Sequence, residues 1–175
     1  MLNGKKIAIL VANGFEQSEM TDPKQALDAA GVKTFIVSPE KNKVKGWKHD
    51  KWADEFSIDV SLDDANPSEY DGLLLPGGVM NPDKLRMLDK AIQFVKYFVE
   101  NKKPIGAICH GPWTLVETNG LKGMTVTSWA SIKSDLINAG ATWVDKEVVR
   151  DKNLVTSRKP ADIPAFNQEI IKLFS

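Results

Sequence analysis

Four short runs of consecutive apolar residues limit what this chain can fold into more than any other feature. They are KKIAILVA (5–12), KTFIVSP (33–39), DGLLLPGG (71–78) and PIGAIC (104–109). A strand with apolar residues on both faces is buried on both sides, which is typical of a parallel sheet covered by helices. Helical patterns separate these runs, so the alternation predicts an α/β sandwich with a mostly parallel central sheet.

The segments between the strands carry their own signals. TDPKQALDAAG (21–31) predicts a helix with Pro23 in its first turn and Gly31 at its end. Apolar residues at helical spacing predict one long helix over 81–103; they are Leu85, Leu88, Ile92, Val95 and Val99. The polar stretch 44–64 contains two tryptophans and alternates in part, which predicts an antiparallel excursion or flap.

Residues after Cys109 predict two further strands and two helices. Residues 142–158 read as two strands around a turn at 151–153, and residues 161–174 read as an amphipathic helix that closes the chain. Residues 111–120 predict a short helix that ends at Gly120.

Length and charge exclude several classes of protein. A chain of 175 residues is long enough for one compact domain, and we expect residues 1–175 to form it. Lys plus Arg and Asp plus Glu both number 23, so no charge excess indicates nucleic acid or an anionic membrane as a partner. The N-terminal apolar run of about seven residues is too short for a signal peptide or a membrane span. With a single cysteine, which cannot form an intramolecular disulfide, the simplest expectation is a cytoplasmic protein with a free thiol.

Unusual residues follow three of the predicted strands. Glu16 follows the first strand, Gly77 and Gly78 follow the third, and Cys109 and His110 follow the fourth. Ligands of open parallel sheets bind beyond the carboxyl ends of the strands. We therefore expect these five residues to lie on one rim of the sheet.

Cys109 lies where a strand turns into a helix. A nucleophile on such a turn is pushed out of the sheet, and the helix N-terminus favours its ionised form, which predicts a lowered cysteine pKa. The backbone N–H groups near Gly78 and His110 are candidates for an oxyanion hole, and Glu16 for a carboxyl group bonded to the thiolate. The alternative is that Cys109 is a small buried core residue, Gly77 and Gly78 an ordinary turn, and Glu16 a solvated loop carboxylate.

The two histidines have different expectations. His110 is adjacent to Cys109, but neighbouring side chains diverge at a tight turn, so direct proton transfer between them is not implied. His49 lies in the polar excursion and is expected at the surface. The pattern predicts neither a cofactor nor a metal ion.

Five segments together resemble the PfpI family, also called ThiJ/PfpI. They are ANGFEQSE, LLLPGGVMNPDKLR, AICHGPWTL, TSWASIKSDLINAGATWVD and VTSRKPAD, and the resemblance spans nearly the whole chain. It implies a flavodoxin-like three-layer sandwich in which Cys109 is the nucleophile and Glu16 contacts it. The family includes intracellular cysteine proteases, glyoxalase- and deglycase-type enzymes, and stress proteins.

The resemblance also implies a partner chain. His110 would pair with an acidic residue of a neighbouring subunit, and the matching position is Asp83 in NPDKLR. The site would then be completed in a homodimer or a higher homo-oligomer such as a hexamer. Trp113, which follows CHGP, would narrow a pocket formed with Gly77, Gly78 and His110.

Three functions follow from the same cysteine. The first is a cofactor-independent, glyoxalase- or deglycase-like stress-response enzyme, in which the Cys109 thiolate attacks reactive carbonyls or their protein adducts. The second is an intracellular cysteine peptidase or amidase. The third is a non-catalytic stress protein whose cysteine senses oxidation. A glutamine amidotransferase is rejected because no histidine follows His110.

Overall fold

A computed structural model describes residues 2–175 of the chain. Its strands are β1 (Lys6–Leu10), β2 (Phe15–Glu16), β3 (Lys33–Ser38), β4 (Lys43–Lys48), β5 (Lys51–Ser57), β6 (Val60–Ser61), β7 (Gly72–Leu75), β8 (Ile105–Ile108), β9 (Thr125–Val126), β10 (Thr142–Trp143), β11 (Val148–Asp151) and β12 (Leu154–Ser157). Its α-helices are α1 (Gln17–Ala29), α2 (Met80–Leu85), α3 (Asp89–Glu100), α4 (Lys133–Asn138) and α5 (Ile163–Phe174). Short 3-10 helices complete the chain, the longest of them at Gly111–Thr118.

Seven strands form the central sheet in the order β11-β12-β8-β7-β1-β3-β6. Every neighbouring pair is parallel except β11 with β12 at one edge. The chain places β3 on one side of β1 and β7 on the other. The carboxyl ends of β1 and β7 therefore flank a crevice of the kind in which α/β proteins bind ligands. The predicted α/β, flavodoxin-like fold with a mostly parallel sheet is confirmed.

Alternation along the strands divides the core into two layers. In β1, Ile7 and Ile9 belong to the cluster that packs against α1 and α5. Ala8 and Leu10 belong to the cluster that contains the buried face of α3. Both faces of the sheet are covered, which is why the strands read as continuous apolar runs.

Two predicted helices differ from those in the structure. α1 begins at Gln17, so Pro23 lies inside the helix rather than in its first turn; Pro23 lacks the N–H that would donate to the Glu19 carbonyl. Gly31 does adopt the left-handed φ of 87° just past the helix. The long helix predicted over 81–103 is broken, because Leu88 takes an extended conformation between α2 and α3.

The other predicted elements are formed, and only the short helix after Cys109 differs in type and in where it ends. The excursion is an antiparallel hairpin of β4 and β5, and β4 also pairs with β2 at Phe15 and Gly46. β11 and β12 pair around the predicted turn, and α5 closes the chain. The short helix after Cys109 is a 3-10 helix, and it ends at Asn119, whose φ is 58°, rather than at Gly120.

Candidate active site

The carboxyl ends of β1, β7 and β8 meet beside a cavity of about 490 Å³. The residues that line it are Gly14, Glu16, Glu19, Trp47, His49, Gly78, Val79, Met80, Cys109, His110, Trp129 and Pro160. The rim predicted from the strand ends is therefore formed. It brings together Glu16, Gly78, Cys109 and His110, while Gly77 lies just behind the cavity wall.

Cys109 occupies a sharp turn at the end of β8. Its φ is 62°, in the left-handed region that non-glycine residues rarely adopt. Hydrogen bonds fix the turn from both sides: the Cys109 N–H donates to the Ser157 carbonyl at 2.9 Å, and the Trp129 N–H donates to the Cys109 carbonyl at 3.0 Å. The residue is 7% exposed, so the thiol is sheltered yet reaches the cavity.

The glycine turn after β7 supplies donors to the sulfur. The backbone N–H groups of Gly78 and His110 hydrogen-bond the Cys109 side chain. Gly78 has a φ of 79°, and a Cβ there would lie 2.5 Å from the Gly14 carbonyl oxygen. Only glycine therefore fits this position, and the same two N–H groups can stabilise an oxyanion that forms on an atom bonded to the sulfur.

A buried asparagine holds this turn in place. The Asn81 side-chain amide donates to the carbonyls of Pro76 and Gly77, at 3.0 and 3.2 Å. Its Oδ1 accepts the Ala12 N–H at 2.7 Å, which joins the end of β1 to the turn after β7. Asn81 was not predicted as a site residue, because a single asparagine early in a predicted helix gives no local signal of such a role.

The carboxyl group bonded to Cys109 belongs to Glu19, not to Glu16 as we predicted. Glu19 is fully buried in the first turn of α1, and its side chain hydrogen-bonds the Cys109 thiol. Glu16 precedes the helix and lines the cavity from a partly exposed position. A signal was present in the sequence: Glu19 shares the inward face of α1 with Met20, Pro23 and Leu27.

Burial raises the pKa values of both Cys109 and Glu19. Burial and, to a smaller extent, the charge of Glu16 raise the pKa of Glu19 from 4.5 to about 8, against the lowering effect of its hydrogen bonds with Cys109 and Gly77. Burial and then the charge of Glu19 raise the pKa of the Cys109 thiol, against the lowering effect of the Gly78 and His110 N–H groups. The predicted lowering of the cysteine pKa was therefore wrong, because burial outweighs the donors at the turn.

The hydrogen bonds of Glu19 indicate which of its oxygens carries the proton. Oε2 accepts the Gly77 N–H at 2.9 Å. Oε1 is buried and accepts no hydrogen bond from residues 2–175. A buried oxygen without a donor is the one best occupied by a proton, which can then be donated to the sulfur.

His110 contacts the sulfur directly, contrary to the expected divergence of the two side chains. Its Nδ1 lies 3.3 Å from the Cys109 Sγ, and its Nε2 lies 3.3 Å from the Ser131 Oγ. The ring stacks on Trp129 with 6.1 Å between centroids. Burial lowers the His110 pKa, so the imidazole is neutral at pH 7 and its free nitrogen can accept a proton.

The remaining predicted residues lie apart from the sulfur. Gly77 gives its N–H to Glu19, so this group is not available to substrate. Trp113 does not line the cavity as predicted; it packs behind His110, and the Arg86 guanidinium covers its ring at 4.7 Å. Asp83 is exposed in the first turn of α2. His49 is exposed as predicted, but it also lines the Cys109 cavity.

No group of three or more His, Cys, Asp and Glu side chains among residues 2–175 could hold a metal ion. No helix within the same range is long and apolar enough to cross a bilayer.

Comparison with known proteins shows the family of the chain. The family model described as the DJ-1/PfpI family matches residues 5–173. The chain belongs to the DJ-1/PfpI family. Among its DJ-1/PfpI relatives, General stress protein 18 of Bacillus subtilis is 48% identical over 172 residues, which cover 97% of this chain and 98% of the relative. A second B. subtilis relative, named "Putative cysteine protease YraA", is 47% identical over 169 residues, which cover 97% and 98%.

Solved DJ-1/PfpI structures share the fold. Schizosaccharomyces pombe DJ-1 superposes with a TM-score of 0.84 at 26% identity, covering 97% of this chain and 92% of that one. A two-domain protein from Anabaena variabilis, with DJ-1/ThiJ/PfpI-like and ferritin-like domains, gives a TM-score of 0.89 at 35% identity. That match covers 96% of this chain and 47% of the two-domain chain.

Proposed function

We propose that this protein is a cofactor-independent cysteine enzyme of the glyoxalase or deglycase type. It acts on reactive carbonyl compounds, such as α-oxoaldehydes, or on their adducts with proteins. The observation that carries the proposal is the Cys109 thiol, which is hydrogen-bonded by Glu19, Gly78 and His110 and reaches a cavity of about 490 Å³. The name of its relative General stress protein 18 agrees with a role in stress.

The first step is addition of the sulfur to the aldehyde carbon. Neutral His110 accepts the thiol proton through Nδ1, which lies 3.3 Å from Sγ, as the carbon–sulfur bond forms. The electron pair of the C=O double bond moves to oxygen, where the N–H groups of Gly78 and His110 are positioned to stabilise it. Proton return from His110 to that oxygen gives a hemithioacetal.

An α-oxoaldehyde can then be converted to a 2-hydroxy acid without an external oxidant. A base removes the proton from the carbon that bears sulfur, giving an enediol, and a proton returns to the neighbouring carbon, giving a thioester. Water then cleaves the carbon–sulfur bond and releases the 2-hydroxy acid and the free thiol. The net change is addition of one water molecule, and His110, Glu19 and Glu16 are the acid–base groups of the cavity available for these transfers.

A second candidate is an intracellular peptidase or amidase, favoured by the name of the relative YraA. The same thiol and the same two N–H groups would serve an acyl-enzyme mechanism. Large side chains at the cavity wall, which include Trp47, Met80 and Trp129, favour a small substrate over an extended peptide. An oxidation-sensing role would use the same cysteine without turnover.

We further propose that a second copy of this chain completes the site. Asp83 is exposed on α2, the helix whose first residue, Met80, lines the cavity. Apolar side chains near it are also exposed, with Val79 at 56% and Met87 at 79%. A homodimer that covers this face would bury these side chains and bring Asp83 to His110 of the other copy. The carboxylate of Asp83 would then help to orient the imidazole as a base.

The substrate class can be decided with the purified protein. Product formation from methylglyoxal should be compared with hydrolysis of peptide amides under the same conditions. The proposal expects a 2-hydroxy acid from methylglyoxal at a rate well above peptide cleavage. Peptide hydrolysis without 2-hydroxy acid formation would replace the first candidate with the second.

A further inference from the structure

His49 lies at the tip of the hairpin formed by β4 and β5 and lines the same cavity as Cys109. It is the first of two residues in the turn, since Lys48 pairs with Lys51 across the strands. Its φ of 60° lies in the left-handed region, where a two-residue hairpin turn favours glycine. A histidine at a position that favours glycine suggests that its side chain serves a purpose.

The hairpin tip is held firmly enough to position that side chain. The Trp47 indole N–H donates to the His49 carbonyl at 2.8 Å, and the Trp47 ring packs edge-on against Trp52 at 5.3 Å. In the middle of β5, Asp54 forms two hydrogen bonds with the Gln17 side chain, of 2.8 and 2.9 Å. These contacts fix the hairpin to the start of α1, the helix that carries Glu19.

The polar groups around Cys109 already contact the sulfur. Glu19, His110 and the Gly78 N–H all contact the sulfur and would serve the carbonyl carbon that it attacks. An α-oxoaldehyde carries a second carbonyl oxygen, on the carbon next to that one. On the hairpin side of the cavity, the only titratable side chains among the lining residues are Glu16 and His49. Either neutral form of the imidazole carries an N–H that can donate to a ketone oxygen.

We propose that His49 is a specificity residue that donates a hydrogen bond to the second oxygen of a dicarbonyl substrate held at Cys109. This rests on the proposed function for the class of substrate, although it concerns recognition rather than turnover. It accounts for a histidine in a strained turn above an otherwise largely apolar cavity. A simple aldehyde, which lacks the second oxygen, would gain nothing from it.

The test measures adduct formation rather than turnover. Methylglyoxal and acetaldehyde should each be titrated for protection of Cys109 against alkylation by iodoacetamide, with mass spectrometry of this single cysteine as the readout. The ratio of the two apparent affinities removes differences in intrinsic reactivity when variants are compared. The variant is His49→Gly, which suits the left-handed turn, and the control is Asp50→Ala, the neighbouring turn residue outside the cavity lining.

We expect the preference for methylglyoxal to fall about 3- to 10-fold in His49→Gly and to stay unchanged in Asp50→Ala, as for loss of one neutral hydrogen bond. An unchanged preference in His49→Gly overturns the proposal. An equal loss of affinity for both aldehydes also overturns it, since that would indicate a general change in the cavity. If the preference shifts as expected but the unmodified protein forms no 2-hydroxy acid, the proposed turnover fails and the assignment of His49 stands.

Discussion

The fully buried carboxyl group of Glu19 hydrogen-bonds the thiol of Cys109, so the ionisation of each group depends on that of the other. Two negative charges in contact at a buried site are strongly disfavoured, so the first proton lost leaves one charge on the pair. When the thiolate forms, the sulfur accepts the backbone N–H groups of Gly78 and His110, which stabilise its charge.

The hydrogen bond from Glu19 to the sulfur can be isolated with two neutral variants. In Glu19→Gln an amide N–H can still donate to the thiolate. In Glu19→Ala the side chain at this position has no donor, and only the backbone N–H groups of Gly78 and His110 remain. We expect the thiolate of the Ala variant to form at a pH about 1 unit higher than that of the Gln variant, as for loss of a hydrogen bond to a charged group. Thiolate absorbance in the ultraviolet measures this, and equal midpoints would show that Glu19 does not donate to the sulfur.

Glu19 also makes the stability of the protein depend on pH. Its pKa rises from 4.5 to about 8 on folding, so the folded state holds this proton more tightly than the unfolded state. The resulting stabilisation is complete below pH 4.5 and is lost as the pH rises to about 8. At about 1.4 kcal/mol for each pKa unit, the loss is on the order of a few kcal/mol.

Urea unfolding at pH 5 and pH 8 tests this dependence. Glu19→Gln cannot ionise, so the wild-type protein should lose stability relative to this variant as the pH rises. Asp22→Asn is the matched control, because Asp22 lies on the same helix but is exposed. If the free energy of unfolding changed equally between pH 5 and pH 8 in the wild type and in Glu19→Gln, the result would contradict the raised pKa of Glu19.

The sequence predicted the architecture well and the site in part. The mostly parallel sheet and the rim at its strand ends follow from apolar runs and turn residues, which are local signals. Glu16 was predicted because it follows the first strand. Glu19 was missed because Pro23, taken as a residue of the first helical turn, suggested that α1 begins further along the chain than it does. The raised pKa of Cys109 could not be predicted, because it depends on burial by residues distant in the sequence.

Asn81 should matter for stability and for activity. Asn81→Ala would leave the buried Ala12 N–H without its acceptor and free the carbonyls of Pro76 and Gly77. We expect a loss of about 1–3 kcal/mol in the free energy of unfolding. Lys84→Ala, on the exposed side of the same helix, should cost less than about 1 kcal/mol because it removes only a surface ion pair with Glu40.

Turnover measurements on the same two variants test the positioning role of Asn81. A displaced Gly78 N–H would stabilise the oxyanion less well, so we expect kcat to fall more than KM changes in Asn81→Ala. If Asn81→Ala were as stable and as active as Lys84→Ala, Asn81 would have no role in positioning the Gly78 N–H.

Asp83 tests the proposed assembly. If it orients His110 of a second copy, Asp83→Ala should lower turnover, whereas Asp83→Glu should retain most of it. Dilution should inactivate the wild-type protein at the concentration where sedimentation shows dissociation. Full activity of a monomer would leave Asp83 as an acidic residue at a helix N-terminus, where the helix dipole favours it.

The most direct measurement is mass spectrometry of the protein quenched during turnover of methylglyoxal, with and without the Cys109 sulfur. If catalysis passes through the Cys109 thiol, we expect a substrate-derived mass on the peptide that contains Cys109 and accumulation of a 2-hydroxy acid. In Cys109→Ser, both should be absent while circular dichroism shows an intact fold. Sustained 2-hydroxy acid formation by Cys109→Ser would contradict the account, because the chemistry would then not pass through this thiol.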